Sequence, residues 1–578
     1  MLSMKLTGSQ AVMESLLKEN VKVIFGYPGG AIMPVYDALY DYMDRIIHVL
    51  VRHEQGAAHA AEGYGRITGE PGVCLATSGP GATNLVTGIA DAMMDSVPIV
   101  CITGQVASHL VGSDAFQEAD VMGITAPITK WNYQITDANE IPEVFSKAFH
   151  IAKTGRPGPV LIDITKDAQF ATFDFSYPKE VKMESYQPTT HPHPKQIELA
   201  AELLNKAERP YILAGHGVII AKAEKDLIRL AEKGGIPVAQ TLHGVSIFPT
   251  AHPLHVGFLG MHGNYGPNIL SNKADVVLAV GMRFDDRVTG RLKDYLPDAK
   301  IIHIDIDPAE LNKNVQVEIP IVADAKNAIQ ALNKEIKKRS HSAWIKEFQK
   351  CYQLEEKKVI QNECDPKKGK IKMGEAIYKL NELTKGEAII VADVGQHQMM
   401  AARYAKFVKP NSFITSGGMG TMGFALPAAM GAKYALLHPP NGQVSDGKAS
   451  LDREVICITG DGGVQMNIQE LATLAQENLP VKIVILNNDF LGMVRQWQEL
   501  FFKKRYSMTK IKNPDFVTVA KGFYLQAEKV EKREELMGAL KRMLKSKGPY
   551  LLDIKVEKEQ NVFPMIATGA SVDEVRLE

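Results

Sequence analysis

The feature that most constrains this chain is the alternation of short apolar runs with longer amphipathic segments through nearly all of its 578 residues. The apolar runs are rich in β-branched residues and end at Gly, Asp or Asn, as in VKVIF (21–25), PVLIDI (159–164) and VKIVIL (481–486). Continuous apolar runs of about four to eight residues predict parallel strands that are buried on both faces. With helical segments between them, they predict βαβ winding, in which ligands bind at the carboxyl ends of the strands.

Two stretches interrupt the alternation and divide the chain. Residues 172–196 are rich in Pro, Thr and Tyr and predict a surface linker, whereas residues 337–372 predict a charged helix followed by a basic loop. Because a domain usually holds roughly 100–200 residues, three domains are expected. The predicted fold class is α/β, with three doubly wound parallel-sheet domains at 1–180, 190–345 and 370–555, a C-terminal tail at 556–578 and a polar surface insert at 438–454.

Composition excludes several classes of protein. Lys and Arg total 66 and Asp and Glu total 66, a balance that argues against nucleic-acid or membrane-surface partners. Apolar runs stay well below the roughly 20 residues that span a bilayer. The five cysteines are scattered without a CxxC pair, which favours a reducing compartment over a disulfide framework or zinc cluster. With no signal or transit pattern at the N-terminus, we expect a cytoplasmic enzyme.

The most specific local signal lies at residues 456–488. One strand ends in Gly460-Asp461-Gly462, a helix follows at roughly 467–477, and a second strand ends in Asn487-Asn488, with 24 residues between GDG and NN. Asp461 and Asn488 would offer hard oxygen ligands that suit Mg²⁺, and the glycines would let backbone N–H groups approach a diphosphate. Either half alone is more often an ordinary turn, but the pair predicts a metal–diphosphate site.

This arrangement resembles the signature of the thiamine-diphosphate-dependent enzymes, in which GDG is followed about 25 residues later by NN. The resemblance implies that Mg²⁺ is bound by Asp461, Asn488 and the main-chain carbonyl of Phe490. Thiamine enzymes also need a carboxylate that shares a proton with the aminopyrimidine ring. Residues 52–66, RHEQGAAHAAEGYGR, are similar to the family segment that carries it, which assigns this role to Glu54.

Two other interpretations of Glu54 are possible. An acidic residue in the first turn of a helix is favoured by the helix dipole without any catalytic role. A zinc motif HExxH would need His at position 57, where the chain has Ala57. Glu54 and Asp461 lie in different predicted domains, and in the family the cofactor is bound between the first domain of one subunit and the third domain of another. The resemblance therefore implies at least a homodimer, and a homotetramer stays open.

Further segments resemble the remaining walls of the cofactor site. Residues 393–403 and 416–428 imply that Gln396 and His397 meet the diphosphate and that Met422 supports the thiazolium ring. The spacing Gly418-x-Gly420-x-x-Gly423 matches a dinucleotide fingerprint, but no acidic residue follows about 20 positions later. The full set assigned to thiamine diphosphate is Gly395, Gln396, His397, Gly420, Met422, Gly462 and Gly463.

The resemblance covers essentially the whole chain and is closest to the biosynthetic acetolactate synthases. It is carried by GYPGGAIMPVYDAL (26–39), TSGPGATNLVTGIADA (77–92), GSDAFQE (112–118), GRPGPVLIDITKD (155–167), GMRFDDRVTGR (281–291) and GMVRQWQ (492–498). It implies a bound FAD, although Ile220 stands where a third Rossmann glycine would fall in the central domain. The implied FAD contacts are Arg156, Gly215, Gly217, Thr241, Leu242, His262, Gly281, Arg283, Asp285, Asp305 and Asp324.

The implied reaction joins two 2-keto acids. Pyruvate loses CO₂, and its remaining two-carbon unit condenses with pyruvate or 2-oxobutanoate to give 2-acetolactate or 2-aceto-2-hydroxybutanoate, precursors of valine, leucine and isoleucine. Gln117 and Lys166 are assigned to the reacting centre with Glu54. Phe116, Arg287, Met493 and Trp497 are assigned to the substrate side. A small regulatory subunit is a possible further partner.

Four alternatives remain at this point. A pyruvate oxidase would share the fold and use FAD for electron transfer, but RFDDRVTGR and the Trp497 context disfavour it. A glyoxylate carboligase lacks the activating acid that Glu54 supplies, and the FAD-free catabolic acetolactate synthases lack the RFDDR arginines. A non-catalytic scaffold is disfavoured because Glu54, Asp461 and Asn488 are all present.

Overall fold

Three six-stranded parallel sheets organise the chain in the computed structural model, which describes residues 4–440, 443–444, 447–448 and 453–578. Most of the predicted insert at 438–454 therefore lies outside the described residues. The three-sheet α/β prediction is confirmed. Three two-stranded pairings add to the sheets: one joins the first strand of the chain to the end of the first domain, and another lies in the tail.

The first domain has a sheet in the order β3-β2-β4-β5-β7-β6, and its β1 pairs antiparallel with β8. The residues of β8 lie in the stretch that the sequence predicts to be a linker, so that linker begins only after Phe175. The strands are β1 (Met4–Thr7), β2 (Val23–Gly26), β3 (Ile47–Leu50), β4 (Gly72–Ala76), β5 (Ile99–Gln105), β6 (Trp131–Ile135), β7 (Pro159–Thr165) and β8 (Thr172–Phe175), and the helices are α1 (Gly8–Lys18), α2 (Met33–Tyr40), α3 (Glu54–Thr68), α4 (Pro80–Asn84), α5 (Val86–Asp95), α6 (Val121–Thr125), α7 (Ile141–Lys153) and α8 (Lys166–Phe170).

The central domain has the strand order β11-β10-β9-β12-β13-β14, which is 3-2-1-4-5-6 when its strands are counted along the chain. This is the Rossmann order, whose ligand site lies where the winding reverses, here between β9 and β12. The strands are β9 (Pro210–Ala214), β10 (Val238–Gln240), β11 (His255–Phe258), β12 (Val276–Val280), β13 (Lys300–Asp305) and β14 (Ile319–Val322), and the helices are α9 (Pro194–Lys206), α10 (His216–Ile220), α11 (Glu224–Gly234), α12 (Tyr265–Ser271), α13 (Asp286–Thr289) and α14 (Ala325–Glu335).

A helical connection leads to the third domain, whose sheet has the order β16-β15-β19-β20-β22-β21. The connection is α15 (Ser342–Glu355), a π-helical turn (Glu356–Ile360) and α16 (Gln361–Cys364). The third domain comprises α17 (Met373–Thr384), β15 (Ile389–Ala392), α18 (Gln396–Tyr404), β16 (Phe413–Thr415), α19 (Ala425–Leu437), β17 (Gln443–Val444), β18 (Gly447–Lys448), β19 (Val455–Gly460), α20 (Asp461–Val464), α21 (Glu470–Gln476), β20 (Val481–Asn487), α22 (Gly492–Phe501), α23 (Phe516–Gly522), β21 (Gln526–Val530), α24 (Arg533–Lys545) and β22 (Tyr550–Lys555).

The first and third domains share one hydrophobic core, because α3 packs directly along α19. The two helices approach so closely that a Cβ atom on Gly63 would lie 2.0 Å from the Ala428 carbonyl oxygen, and one on Gly431 would lie 1.8 Å from that of Ala60. A side chain at either glycine would force the helices apart. These small residues therefore fix the position of α3, and of Glu54 at its start, against the third domain.

The tail returns from the third domain to the central one. Its short strands β23 (Met565–Ile566) and β24 (Val575–Arg576) pair with each other. Ile566 N donates to Met261 O at 2.8 Å, and Arg291 N donates to Ala570 O at 2.9 Å. The tail thus contacts the central domain at Met261 and at Arg291, the last residue of the RFDDRVTGR segment. No helix in the described part of the chain has both the length and the hydrophobicity needed to cross a bilayer.

Candidate active site

A pocket opens at the carboxyl ends of β15, β19 and β20, which are neighbours in the third-domain sheet. Parallel winding brings these ends to one edge, where ligands bind in doubly wound folds. Every described residue that lines the pocket belongs to the third domain. The lining residues are Met373, Val394, Gly395, Gln396, His397, Met422, Gly460, Asp461, Gly462, Gly463, Leu486, Asn488, Phe490, Leu491, Gly492, Met493 and Val494.

Asp461 is the buried carboxylate of this pocket, at the start of α20. Its Oδ2 accepts from the backbone N–H of Asp489 at 2.8 Å and from Asn513 Nδ2 at 2.7 Å. Burial raises the pKa of Asp461 to about 6, although both donors favour the charged form. Asn488 lies opposite, and its Oδ1 accepts from the backbone N–H of Phe490 at 3.2 Å. Aspartate and asparagine oxygens in one buried pocket are suitable ligands for Mg²⁺.

The opposite wall is built around His397, which fits between two glycines. A Cβ atom on Gly395 or on Gly460 would lie 2.8 Å from His397 Cε1, so only glycine leaves room for the ring at both positions. Burial lowers the pKa of His397 to about 3, which keeps the imidazole neutral. Its Nε2 is buried and has no hydrogen-bond partner among the described residues. A buried, unpaired ring nitrogen that lines the pocket is consistent with a polar ligand there.

Met422 and Gln396 complete the pocket. Met422 Cε lies 3.6 Å from a Cβ position built on Gly462, which places the thioether over the glycine turn. Gln396 Nε2 donates to Gln496 Oε1 at 3.0 Å and to the Gln560 carbonyl at 2.8 Å, so its orientation is fixed by α22 and the tail. Gly420 is outside the pocket lining, in the segment that leads to Met422, with φ of +68°.

Glu54 lies in a separate half-site of the first domain, at the start of α3. The side chain is 9% exposed, and its Oε2 accepts from Asn84 Nδ2 at 3.0 Å. Its Oε1 lies 3.4 Å from a Cβ position built on Gly81, at the beginning of α4. Gln117 approaches the same loop, since a Cβ atom on Gly79 would lie 3.1 Å from its Cα. Within one chain, the structure does not bring Glu54 and Gln117 into the pocket of Asp461.

The proposed substrate residues fall into two groups. Arg287, from the central domain, lies over the ring of Trp497 in α22, with its guanidinium carbon 5.9 Å from the ring centroid. Trp497 Nε1 is buried and unpaired among the residues that the structure describes. Met493, one turn earlier in α22, lines the pocket. In the first domain, Phe116 is 87% exposed and Lys166 lies on the surface at the start of α8, both apart from this cluster.

The central domain gathers its predicted FAD residues at the carboxyl ends of its strands. Gly215 and Gly281 follow β9 and β12, at the reversal point, where Gly217 N donates to Gly281 O at 3.1 Å. A Cβ atom on Gly215 would lie 2.2 Å from that carbonyl oxygen, so the glycines are required for this contact of the two loops. The other predicted residues at this edge are Thr241, Leu242, His262, Arg283, Asp285, Asp305 and Asp324.

Three polar groups, Arg156, Asp305 and His262, lie at that edge. Arg156 reaches across from the first domain, and its Nη1 lies 2.8 Å from Glu310 Oε1 and 3.2 Å from Asp307 Oδ2. Burial raises the pKa of Asp305 to about 6. Burial also lowers the pKa of His262 to about 3, helped by the positive charges of Arg403 and Arg287. The edge therefore presents glycine loops, a carboxyl and a neutral histidine, which suits a dinucleotide.

Sequence reasoning missed Asn513, which bonds Asp461 and also donates to Asn487 Oδ1 at 3.2 Å. It lies in a loop between α22 and α23. In the sequence, an Asn before Pro predicts only a turn. Asn513 is recognised as part of the site only in the folded structure, where it lies against the end of β20. Val394 and Leu491 were missed as pocket walls because single apolar residues carry no distinguishing signal.

Three families of thiamine pyrophosphate enzyme domains match the chain in order. The N-terminal TPP binding domain matches residues 6–124, the central domain residues 197–332, and the C-terminal TPP binding domain residues 393–554. The last match contains β19, β20 and every lining residue named above except Met373. The first contains Glu54, Gln117 and the α4 loop.

Whole-chain relatives give the same result. The chain is 46% identical to the acetolactate synthase large subunit of Corynebacterium glutamicum, over 99% of this chain and 90% of that protein. It is 46% identical to the probable acetolactate synthase large subunit of Methanocaldococcus jannaschii, over 98% and 95% respectively. The acetolactate synthase large subunit of Haemophilus influenzae is 44% identical, over 99% of this chain and 98% of its own length.

Proposed function

The chain belongs to the acetolactate synthase large-subunit family of thiamine pyrophosphate enzymes. From this premise we propose which role each site residue has in the reaction. It is a thiamine-diphosphate-dependent enzyme of the acetolactate synthase type. We propose that it acts in the cytoplasm on pyruvate as donor and on pyruvate or 2-oxobutanoate as acceptor. The observation that carries the proposal is the buried Asp461–Asn488 pocket at the carboxyl edge of the third-domain sheet.

The pocket fits a metal-bound diphosphate. Asp461, Asn488 and the Phe490 carbonyl would hold Mg²⁺, with Asn513 and the Asp489 N–H orienting the Asp461 carboxylate. Gln396 and His397 would meet the diphosphate from α18, whose N-terminus faces the pocket and favours anions. Met422 would support the thiazolium ring from the other side. When bound, thiamine diphosphate supplies an electron sink for breaking and forming a C–C bond at a keto carbon.

Glu54 would act on the cofactor held by a second copy of the chain. It would share a proton with a ring nitrogen of the aminopyrimidine, and the hydrogen bond from Asn84 would restrict the orientation of its carboxylate. Gln117, beside the same loop, would accompany it into the partner's pocket. This arrangement explains why one chain holds two complementary half-sites that do not meet, and it requires a homodimer or a larger homo-oligomer.

The acceptor would enter between α22 and the central domain. Trp497 and Met493 would shape an apolar pocket for the acceptor's methyl or ethyl group, while Arg287 would attract its carboxylate. Phe116 and Lys166, which are exposed in a single chain, would approach this region from the partner subunit. A small regulatory subunit is a further expected partner, because the relatives are named as large subunits.

FAD would occupy the carboxyl edge of the central sheet without a redox role. The Rossmann strand order, the glycine contact between the loops after β9 and β12, and Arg156 from the first domain support this position. Condensing two keto acids with loss of CO₂ involves no net oxidation. FAD is therefore proposed as a bound component of the central domain.

Product analysis tests the proposal directly. Protein incubated with pyruvate, thiamine diphosphate, Mg²⁺ and FAD should form 2-acetolactate and CO₂, with no stoichiometric oxygen uptake. Addition of 2-oxobutanoate should divert product to 2-aceto-2-hydroxybutanoate. Acetate formation linked to flavin reduction would instead establish a pyruvate oxidase.

A further inference from the structure

The segment 416–423, which carries Met422 to the pocket, is held from outside its own domain. Ser416 Oγ donates to Asp91 Oδ1 at 2.6 Å, and Thr421 N donates to Ser416 Oγ at 2.8 Å. Gly417 N and Gly418 N donate to Asp95, to Oδ2 at 3.0 Å and Oδ1 at 2.7 Å. Asp91 and Asp95 lie one turn apart on α5 of the first domain, so that domain anchors the beginning of the segment.

The third domain holds the end of this segment and also the Ser416 carbonyl, which accepts from Gln398 Nε2 at 2.9 Å. Gly423 N donates to Asp393 Oδ1 at 2.9 Å, and Asn467 Nδ2 donates to Gly423 O at 2.8 Å. Met422 therefore lies between the first-domain contacts of residues 416–418 and the third-domain contacts of Gly423. A displacement of either set of contacts would move its thioether relative to the Gly462 turn.

Asp95 is suited to this task because it is fully buried and stays charged. Arg66 Nη2 lies 2.7 Å from its Oδ2, and His243 Nε2 lies 2.9 Å from its Oδ1. Burial alone would raise the pKa of Asp95, but His243, Arg66 and the Gly417 N–H outweigh it and hold the pKa below its ordinary value. Backbone N–H groups that donate to an ionised carboxylate form stronger hydrogen bonds than neutral pairs do.

The segment also lies directly on these groups. A Cβ atom on Gly417 would lie 2.2 Å from His243 Nε2, and one on Gly418 would lie 2.8 Å from Asp95 Oδ1. His243 belongs to a 3-10 turn, Leu242–Gly244, of the central domain, and it stacks on His216 with ring centroids 5.5 Å apart. One carboxylate thus joins the first, central and third domains at the base of the Met422 segment.

We infer that Asp95, assisted by Asp91 through Ser416, is a positioning residue that sets Met422 in the thiamine pocket. The inference rests on the proposed role of Met422 at the cofactor. A carboxylate that merely joined domains would affect the whole structure equally. A positioning residue acts on residues 416–423 and, through Met422, on the bound cofactor.

Hydrogen–deuterium exchange of the full-length protein without cofactor tests whether Asp95 holds residues 416–423 in place. Asp95→Asn keeps the size but loses the charge and one acceptor, so amides in 416–423 should exchange roughly 10- to 100-fold faster. Tyr64→Phe is the matched control, because it removes another first-to-third-domain hydrogen bond, from Tyr64 Oη to the His438 carbonyl at 2.9 Å. Unchanged exchange in the segment, or equal loss of protection elsewhere, would overturn the inference.

A double-mutant cycle on thiamine-diphosphate affinity tests whether Asp95 affects the cofactor through Met422. Asp95→Asn and Met422→Ala should each weaken binding, and the double variant should lose much less than the product of the two fold-changes. If the fold-loss in affinity of the double variant equals the product of the two single fold-losses, the inference is overturned. A normal cofactor affinity in Met422→Ala would overturn the proposed role of Met422, and the inference with it, even if Asp95→Asn still loosened the segment.

A second variant keeps the test decisive if Asp95→Asn fails to fold. Ser416→Ala removes the bonds to Asp91 and Thr421 and leaves Asp95 untouched. The same local rise in exchange and the same non-additivity with Met422→Ala should appear at smaller amplitude, whereas exchange rates equal to wild type in 416–423 would contradict the inference.

Discussion

The first and third domains have the same strand order but place their candidate site residues differently. Counted along the chain, the six strands of each sheet are ordered 2-1-3-4-6-5. In the third domain, the strand ends surround a buried pocket with Asp461 and Asn488. In the first domain, the distinctive carboxylate, Glu54, follows an edge strand and turns toward the α4 loop. In the proposed reaction the same fold therefore has two roles, cofactor binding in the third domain and cofactor activation in the first.

The largest effect is expected from a substitution in the third-domain part of the proposed active site. Asp461→Ala removes a proposed metal ligand, so thiamine-diphosphate affinity measured by calorimetry with Mg²⁺ should fall by more than the roughly 10- to 100-fold typical of a residue behind a ligand. Asn513→Ala, which only orients that carboxylate, should give a loss within that smaller range. Equal losses in the two variants would place the metal elsewhere.

The next largest effect is expected from a substitution in the first-domain part of the proposed active site. Glu54→Gln keeps the size of the side chain and can still bond Asn84, but it cannot share a proton with the cofactor ring. Exchange of the cofactor's C2 proton in D₂O, followed by NMR at saturating cofactor, should slow by roughly 10²- to 10⁴-fold. Affinity should change much less, because the diphosphate anchor is intact. Wild-type exchange rates would show that the activating carboxylate is not Glu54.

A smaller effect concerns acceptor specificity, which is proposed for the contact between Trp497 of the third domain and Arg287 of the central domain. Trp497→Leu should reduce the preference for 2-oxobutanoate over pyruvate while turnover continues, because one methylene in an apolar pocket is worth about 1–3 kcal/mol. Product ratios in mixed-substrate assays measure this preference. A ratio equal to that of the wild type would remove Trp497 from the acceptor pocket and leave its contact with Arg287 as a packing feature.

The alternation of apolar runs and helices was sufficient to predict three parallel α/β sheets. It also predicted that Asp461 and Asn488 would face one edge, since both follow strands. The strand Thr172–Phe175 was missed although its residues alternate between exposed and buried positions, because its partner, Met4–Thr7, lies at the other end of the domain. A short alternating run without a local turn is not distinguishable from a linker.

Residues that act through the fold were not predictable from the sequence. Asn513 and Asp95 have ordinary neighbours in the chain, and their partners Asp461 and Gly417 lie 52 and 322 residues away. The tail was predicted only as a tail, yet Ile566 and Ala570 bond the central domain. Such contacts depend on how three domains pack, which periodicity and motif spacing do not encode.

Mixed dimers test the central claim, that each active site joins the first domain of one chain to the third domain of another. Dimers of one Glu54→Gln chain and one Asp461→Ala chain, isolated with two affinity tags, should keep one intact site and about half of the wild-type activity. Dimers of a wild-type chain and a chain with both substitutions should be nearly inactive. The reverse result, half activity only in the second dimer, would contradict the account and place both half-sites in one chain.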